Sequence, residues 1–257
     1  MNGAPEFDAR QHSERSRAVA ARSWQSLLIQ EDRSREFAEN LVVHLERFDA
    51  PNAFVERARA IASEEARHVA ICNHVVQALG FRAIRHAVRL EAMPEDGAPF
   101  EKAMLEVFMA GFAVAETMSV GGFAAAHARA RAPLARWALG EILRDEVGHG
   151  AFGEEMGLWA MRDWSAARRR TMWPLCVAAM EAFEERAGVP ANAGADEQAD
   201  ESTELLGAPP SAVVCAGLVR ATERWVLPRL ARMGVLPESS RPTCSSNLPQ
   251  RAAYPEP

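Results

Sequence analysis

Six ionisable residues of this chain stand where a packed helix calls for hydrocarbon. Apolar residues recurring at alternating steps of three and four mark the buried stripe of such a helix. The first stripe reads Trp24, Leu27, Glu31, Ser34, Ala38, Leu41, Leu45 and Phe48, and the second Ala58, Ile61, Glu65, His68, Cys72, Val75 and Leu79. The third runs Leu105, Met109, Phe112, Glu116, Val120 and Phe123, and the fourth Ala135, Ala138, Ile142, Glu146, His149, Gly153 and Met156. Glu31, Glu65, His68, Glu116, Glu146 and His149 interrupt them. A carboxylate buried without compensation is costly enough to be forced neutral, so these groups need a partner.

The interruptions share one level. In an antiparallel helical hairpin, residues equidistant from the turn face each other. Glu31 and the centre of the Glu65–His68 pair are equidistant from a point beside the "DAP" turn at 49–51. Glu116 and the centre of the Glu146–His149 pair are equidistant from the "RAP" turn at 131–133. Of seven histidines, only His68 and His149 have a glutamate three residues earlier, a spacing that puts both side chains on one helix face. Two divalent cations would balance the four carboxylates. A mixed oxygen and imidazole set suits iron or manganese better than copper or closed structural zinc.

The class is all-α. Ala, Leu, Glu and Arg dominate the 257 residues and 48% are hydrophobic, enough for a sizeable core. The periodicity predicts helices over about 16–48, 52–79, 100–129, 133–164, 166–187 and 210–234. Residues 91–100 read as a turn-rich connection and 188–201 as a flexible acidic linker. Residues 1–15 read as a flexible lead-in and 236–257 as a disordered tail. The stretch 107–126 imitates a membrane span in length. Its single charge, Glu116, points instead to a buried helix whose glutamate is partnered. A net charge of −6 supplies no field that would draw DNA or an anionic membrane. The polar N-terminus lacks an apolar signal core, so a reducing, cytoplasmic setting is expected.

The pattern resembles the ferritin-like di-iron carboxylate superfamily, in which two bundle helices each give one Glu and two give Glu-x-x-His. Glu31, "EARH" (65–68), Glu116 and "EVGH" (146–149) occupy those places. More narrowly, the chain is similar to bacterial, myxobacterial-type ferritin-like domain proteins, through "RFDAP", "SEEARHVAIC", "AETMS", "RDEVGHGAF" and "LLGAPPS…VLPRLARM". This resemblance spans about 20–235 and implies an antiparallel four-helix bundle, about 16–164, with two additional C-terminal helices. It implies bridging carboxylates, either Glu65 with Glu116 or Glu65 with Glu146. It also implies that Glu64 accepts a hydrogen bond from His149 and Asp145 one from His68, contacts that orient the rings.

The function implied is a dioxygen-dependent oxidoreductase that holds two Fe ions, or Mn, and hydroxylates or desaturates a small organic molecule. Electrons would come from an external donor or from the substrate; a homodimer is compatible with this. Hydroxylation of tRNA, known from a ferritin-like relative, is a second expectation, against which the net charge counts. Ferroxidase activity or iron storage is a third, and the added helices fit a cage ferritin poorly. The only tyrosine, Tyr254, falls in the tail, and the four cysteines show no Cys-x-x-Cys spacing. A tyrosyl-radical role and a built-in rubredoxin relay are therefore not expected.

Overall fold

A computed structural model describes residues 3–47, 50–84, 105, 107–186 and 201–237. Every regular element among them is helical. Helix α1 (Glu14–Arg47) and helix α2 (Asn52–Ala78) form the first hairpin, and Pro51 starts α2 by accepting from the Phe54 amide at 2.8 Å. Arg17, near the start of α1, donates to Leu79 O at the end of α2 across 2.8 Å, so the two helices run antiparallel. Their contact buries Ala20, Trp24, Leu28, Leu41 and Leu45 against Val55, Ile61, Cys72 and Val75. A fully buried Leu or Ile contributes about 1.5–3 kcal/mol, so this interface is a principal source of stability.

The third long helix is π-helical over Val107–Glu116 and becomes α-helical as α3 (Thr117–Arg129). It turns at 130–132 into α4 (Pro133–Ala160), whose proline sits in the first turn, where a missing N–H is harmless. Contacts descend in step along this second hairpin: Gly140 faces His127, Gly150 faces Thr117, Gly153 faces Ala113 and Gly157 faces Met109. Helix α4 also packs antiparallel on α2. The 23 residues Val107–Arg129 are long and apolar enough to cross a membrane, but over half of the apolar window is buried within the protein.

The C-terminal part differs from the sequence expectation in three ways. Helix α4 ends at Ala160 rather than near 164. The helix expected over 166–187 is broken into α5 (Ala166–Arg170) and α6 (Trp173–Arg186). Pro174 explains the break: it lacks an N–H and clashes with the preceding turn, but is tolerated at a helix start. A short helix, α7 (Glu201–Leu205), follows the expected linker. Leu205 O accepts from the amides of Arg131 and Ala132, and Leu206 O accepts from Trp24 Nε1 at 2.9 Å, which fastens α7 over the turn of the second hairpin.

The last expected helix, 210–234, is α8 (Ser211–Ala221), a π-helical stretch (Thr222–Val226) and α9 (Leu227–Arg232). The widened turn lies just ahead of Pro228, which offers no donor to the ordinary ladder. Helix α8 approaches α3 so closely that a Cβ on either Gly121 or Gly217 would overlap the other's carbonyl. Close packing is therefore the role of Gly121, and the π distortion sits upstream of it. The connection at 91–100, the start of the third helix, His86, Phe48, residues 188–200 and the tail from 238 lie outside the described residues.

Candidate metal centre

The four long helices bring all six interrupting residues together. Two sets of side chains converge so that their donor atoms lie within 4.8 Å of one another: Glu31, Glu65, His68 and Glu146, and Glu65, Glu116, Glu146 and His149. Glu65 and Glu146 belong to both. The imidazole rings of His68 and His149 lie 5.9 Å apart between centroids, and each turns Nδ1 toward the shared carboxylates. His68 Nδ1 is 3.1 Å from Glu31, 3.4 Å from Glu65 and 3.5 Å from Glu146. His149 Nδ1 is 3.0 Å from Glu65, 3.7 Å from Glu146 and 3.8 Å from Glu116.

The outward nitrogens are held by acids on the opposite helix. His68 Nε2 donates to Asp145 at 2.9 Å, and His149 Nε2 donates to Glu64 at 3.0 Å, the pairing that the resemblance implies. Each acid is backed by an arginine of α2: Arg67 bonds Asp145, and Arg57 bonds Glu64 at 3.2 and 3.3 Å. A Cβ on Gly148 would press on the Arg57 guanidinium at 2.6 Å, so the glycine before His149 makes room for this backing.

Helix three contributes differently. Its π-helical stretch ends on Glu116, and the return to α-helix places Ser119 one turn further. Ser119 Oγ donates to Glu146 at 2.8 Å, and Ser34 Oγ lies 3.5 Å from Glu116. Glu116 is the most exposed of the six: 16% of its side chain is accessible, against 6% for Glu31 and 1% for Glu65.

Burial dominates the electrostatics. It pushes the Glu31 carboxyl up to about 8, against the opposing hydrogen bond from His68. It lifts Glu146 well above the carboxylate range, helped by the charges of Glu116 and Glu65. Burial disfavours a charged His68, but hydrogen bonds to Glu31 and Glu65 prevail and raise it to about 10. His149 rises for the same reason, with Glu116, Glu64 and Glu65 around it. Glu65 resists burial through these two imidazoles and falls to about 2. The hydrogen bond from His149, assisted by Arg57, brings Glu64 to about 2. Without cations the cluster therefore retains protons in place of positive charge.

The donor set fits divalent ions on an independent observation. Glu65 Oε2 and His149 Nδ1 are buried atoms that make no well-aligned hydrogen bond, although His68 Nδ1 lies 3.4 Å from the first and Glu65 Oε1 3.0 Å from the second. Such orphans are rare in folded proteins and mark a place for an ion or other ligand. Both belong to the converging sets. Cys72, one turn past His68, is a buried free thiol whose pKa is raised by burial and by Glu31 and Glu65, consistent with core packing.

The sequence reading did not single out Ser119, Arg57, Arg67 or Thr117. Ser119 carried a signal, since it lies three residues beyond Glu116 and shares its face. The arginines carried none, because only the packing of α2 on α4 brings them to the acids. No protein-family model matches the chain, and no curated protein sequence matches it.

Proposed function

We propose that this chain is a di-iron carboxylate oxidoreductase of the ferritin-like kind, acting with dioxygen on a small organic molecule. In this reading α1, α2, the third helix and α4 form the antiparallel four-helix bundle of that family. The single observation that carries it is the sharing of Glu65 and Glu146 between two four-residue donor sets, each completed by one histidine and one further glutamate. Glu31 and His68 would hold one ion, Glu116 and His149 the other, and Glu65 and Glu146 would be available to both.

Two bound ferrous ions would supply reducing electrons to dioxygen. The chain's own residues prepare the place for that chemistry. Asp145 and Glu64 keep the proton of each imidazole on Nε2, which leaves Nδ1 as the inward donor. Glu31, Glu65, Glu146 and both histidines are buried, which excludes water. Ser119 fixes one oxygen of Glu146. Glu116, the exposed member, stands on the side from which a small molecule would approach. An external donor would return the electrons. The reading suits a cytoplasmic setting, where the buried free thiols Cys72 and Cys176 stay reduced.

Anaerobic titration of the metal-free protein with Fe(II), followed by oxygen, tests this reading. Saturation near two irons per chain with a transient visible band is the expected result. Continued uptake into a ferric mineral would replace it with iron storage, and no uptake would remove the metal reading altogether.

A further inference from the structure

Arg229 belongs to neither donor set, yet it reaches the side chain of the residue that follows Glu116, a member of one of them. It stands on α9, immediately after the π-helical stretch Thr222–Val226. Its Nη1 donates to Thr117 Oγ1 at 2.6 Å. Its Nε lies 3.6 Å from Glu154 Oε2, and Arg232 grips the same carboxylate at 2.5 and 2.8 Å. The guanidinium therefore has a fixed base on α4 and a fixed target on α3.

The target lies at the junction between two helix types. Thr117, the first residue after the π-helical stretch, also donates through Oγ1 to Phe112 O at 3.4 Å, so its side chain ties the junction back to that stretch. The notch that admits the guanidinium exists because residue 150 is glycine: a Cβ there would overlap both Arg229 Nη1 and Thr117 Oγ1. Thr117 and Gly150 directly follow Glu116 and His149 in the chain. A π-helix returns to the α form by losing one residue of register, and one residue turns a side chain by about 100°. Such a slip would swing Glu116 away from His149. Glu116 is held loosely, by Ser34 Oγ at 3.5 Å and His149 Nδ1 at 3.8 Å, and 16% of its side chain is accessible.

We propose that Arg229 is a positioning residue for Glu116: by holding Thr117 at the end of the π-helical stretch, it maintains the register in which Glu116 faces Glu65, Glu146 and His149. The inference rests on the metal reading for its consequence and on hydrogen bonding alone for its cause. Glu116 enters only one of the two donor sets, so loss of Arg229 acts on one ion and spares the other.

Co(II) titration of the metal-free full chain, read by absorbance and calorimetry, separates the outcomes. The parent should bind two ions. Arg229→Gln should weaken one of them about tenfold or more and leave the other unchanged. Arg229→Lys should recover part of the loss, and Thr117→Val, which removes the hydroxyl that accepts from Arg229 and donates to Phe112 O, should reproduce it. Two ions bound by Arg229→Gln and Thr117→Val as tightly as by the parent would overturn the proposal. So would equal weakening of both ions with a fall in Tm, the mark of a merely structural role. A parent that binds no cobalt would instead remove the metal reading. Amide hydrogen exchange over residues 112–118 of the metal-free variants decides the register independently. Faster exchange than in the parent supports the lock, and unchanged exchange overturns it.

Discussion

His68 on α2 donates its Nε2–H to Asp145 on α4 across 2.9 Å. The bond crosses between two helices from different hairpins and fixes which ring nitrogen faces inward. Asp145→Asn keeps the shape but weakens the acceptor, and Glu64→Gln does the same for His149. Each should weaken metal affinity by about 10–100-fold with little change in the metal-free Tm. Competition against a chelator of known affinity measures this; undiminished affinity in both variants would show that the acids do not orient the ligands.

Shared and unshared carboxylates should behave differently. Glu146 belongs to both donor sets and Glu31 to one. Glu146→Ala should abolish most metal binding with helicity intact, whereas Glu31→Ala should retain one ion. Metal counting with circular dichroism provides the check. In the metal-free protein, Glu146→Gln should cost less than about 1 kcal/mol or even stabilise, because burial already keeps this carboxyl protonated and the amide replaces a neutral group of the same shape.

Stability of the metal-free protein should fall as pH rises from about 6.5 to 10. Glu31 is raised to about 8 and His68 to about 10, so the folded state binds more protons than the unfolded one across this window. Stability from a raised pKa is complete below the unfolded value and is lost as pH climbs through the folded value. Each kcal/mol lost lowers Tm by about 2–4 °C in a chain of this size. Thermal melts at several pH values read it, and a Tm rising over the window would contradict the assignment.

Metal loading should release protons. Glu31, Glu146, His68 and His149 all hold protons more tightly than usual in the metal-free site. Cations must displace them, so affinity should drop as pH falls. Calorimetry in buffers of different ionisation enthalpy counts the released protons; none released would mean that the ions bind elsewhere.

Packing of α8 on α3 should tolerate no side chain at the crossing. Gly121→Ala places a Cβ against the Gly217 carbonyl and Ala221. The helices must separate, at a cost of about 3 kcal/mol. Urea unfolding measures it, and a loss below about 0.5 kcal/mol would show that the interface is loose.

The helical class and the level at which six ionisable residues meet were legible in the sequence. Both follow from local periodicity and from counting outward from two turns, because a helix repeats its faces at a constant interval. Glu65, His68, Glu146 and His149 needed nothing more to be placed. Which carboxylates lie between the two histidines was not legible. Glu116 and Glu146 stand on equivalent stripes, and only the packing of α4 against both α2 and the third helix puts Glu146 rather than Glu116 in both sets. The π-helical register of Val107–Glu116 and the reach of Arg229 to Thr117 were likewise invisible. Helix propensity ranks residues for a ladder but does not say when one hydrogen bond will skip a residue. That choice belongs to contacts between segments far apart in the chain, which form only when the helices are packed.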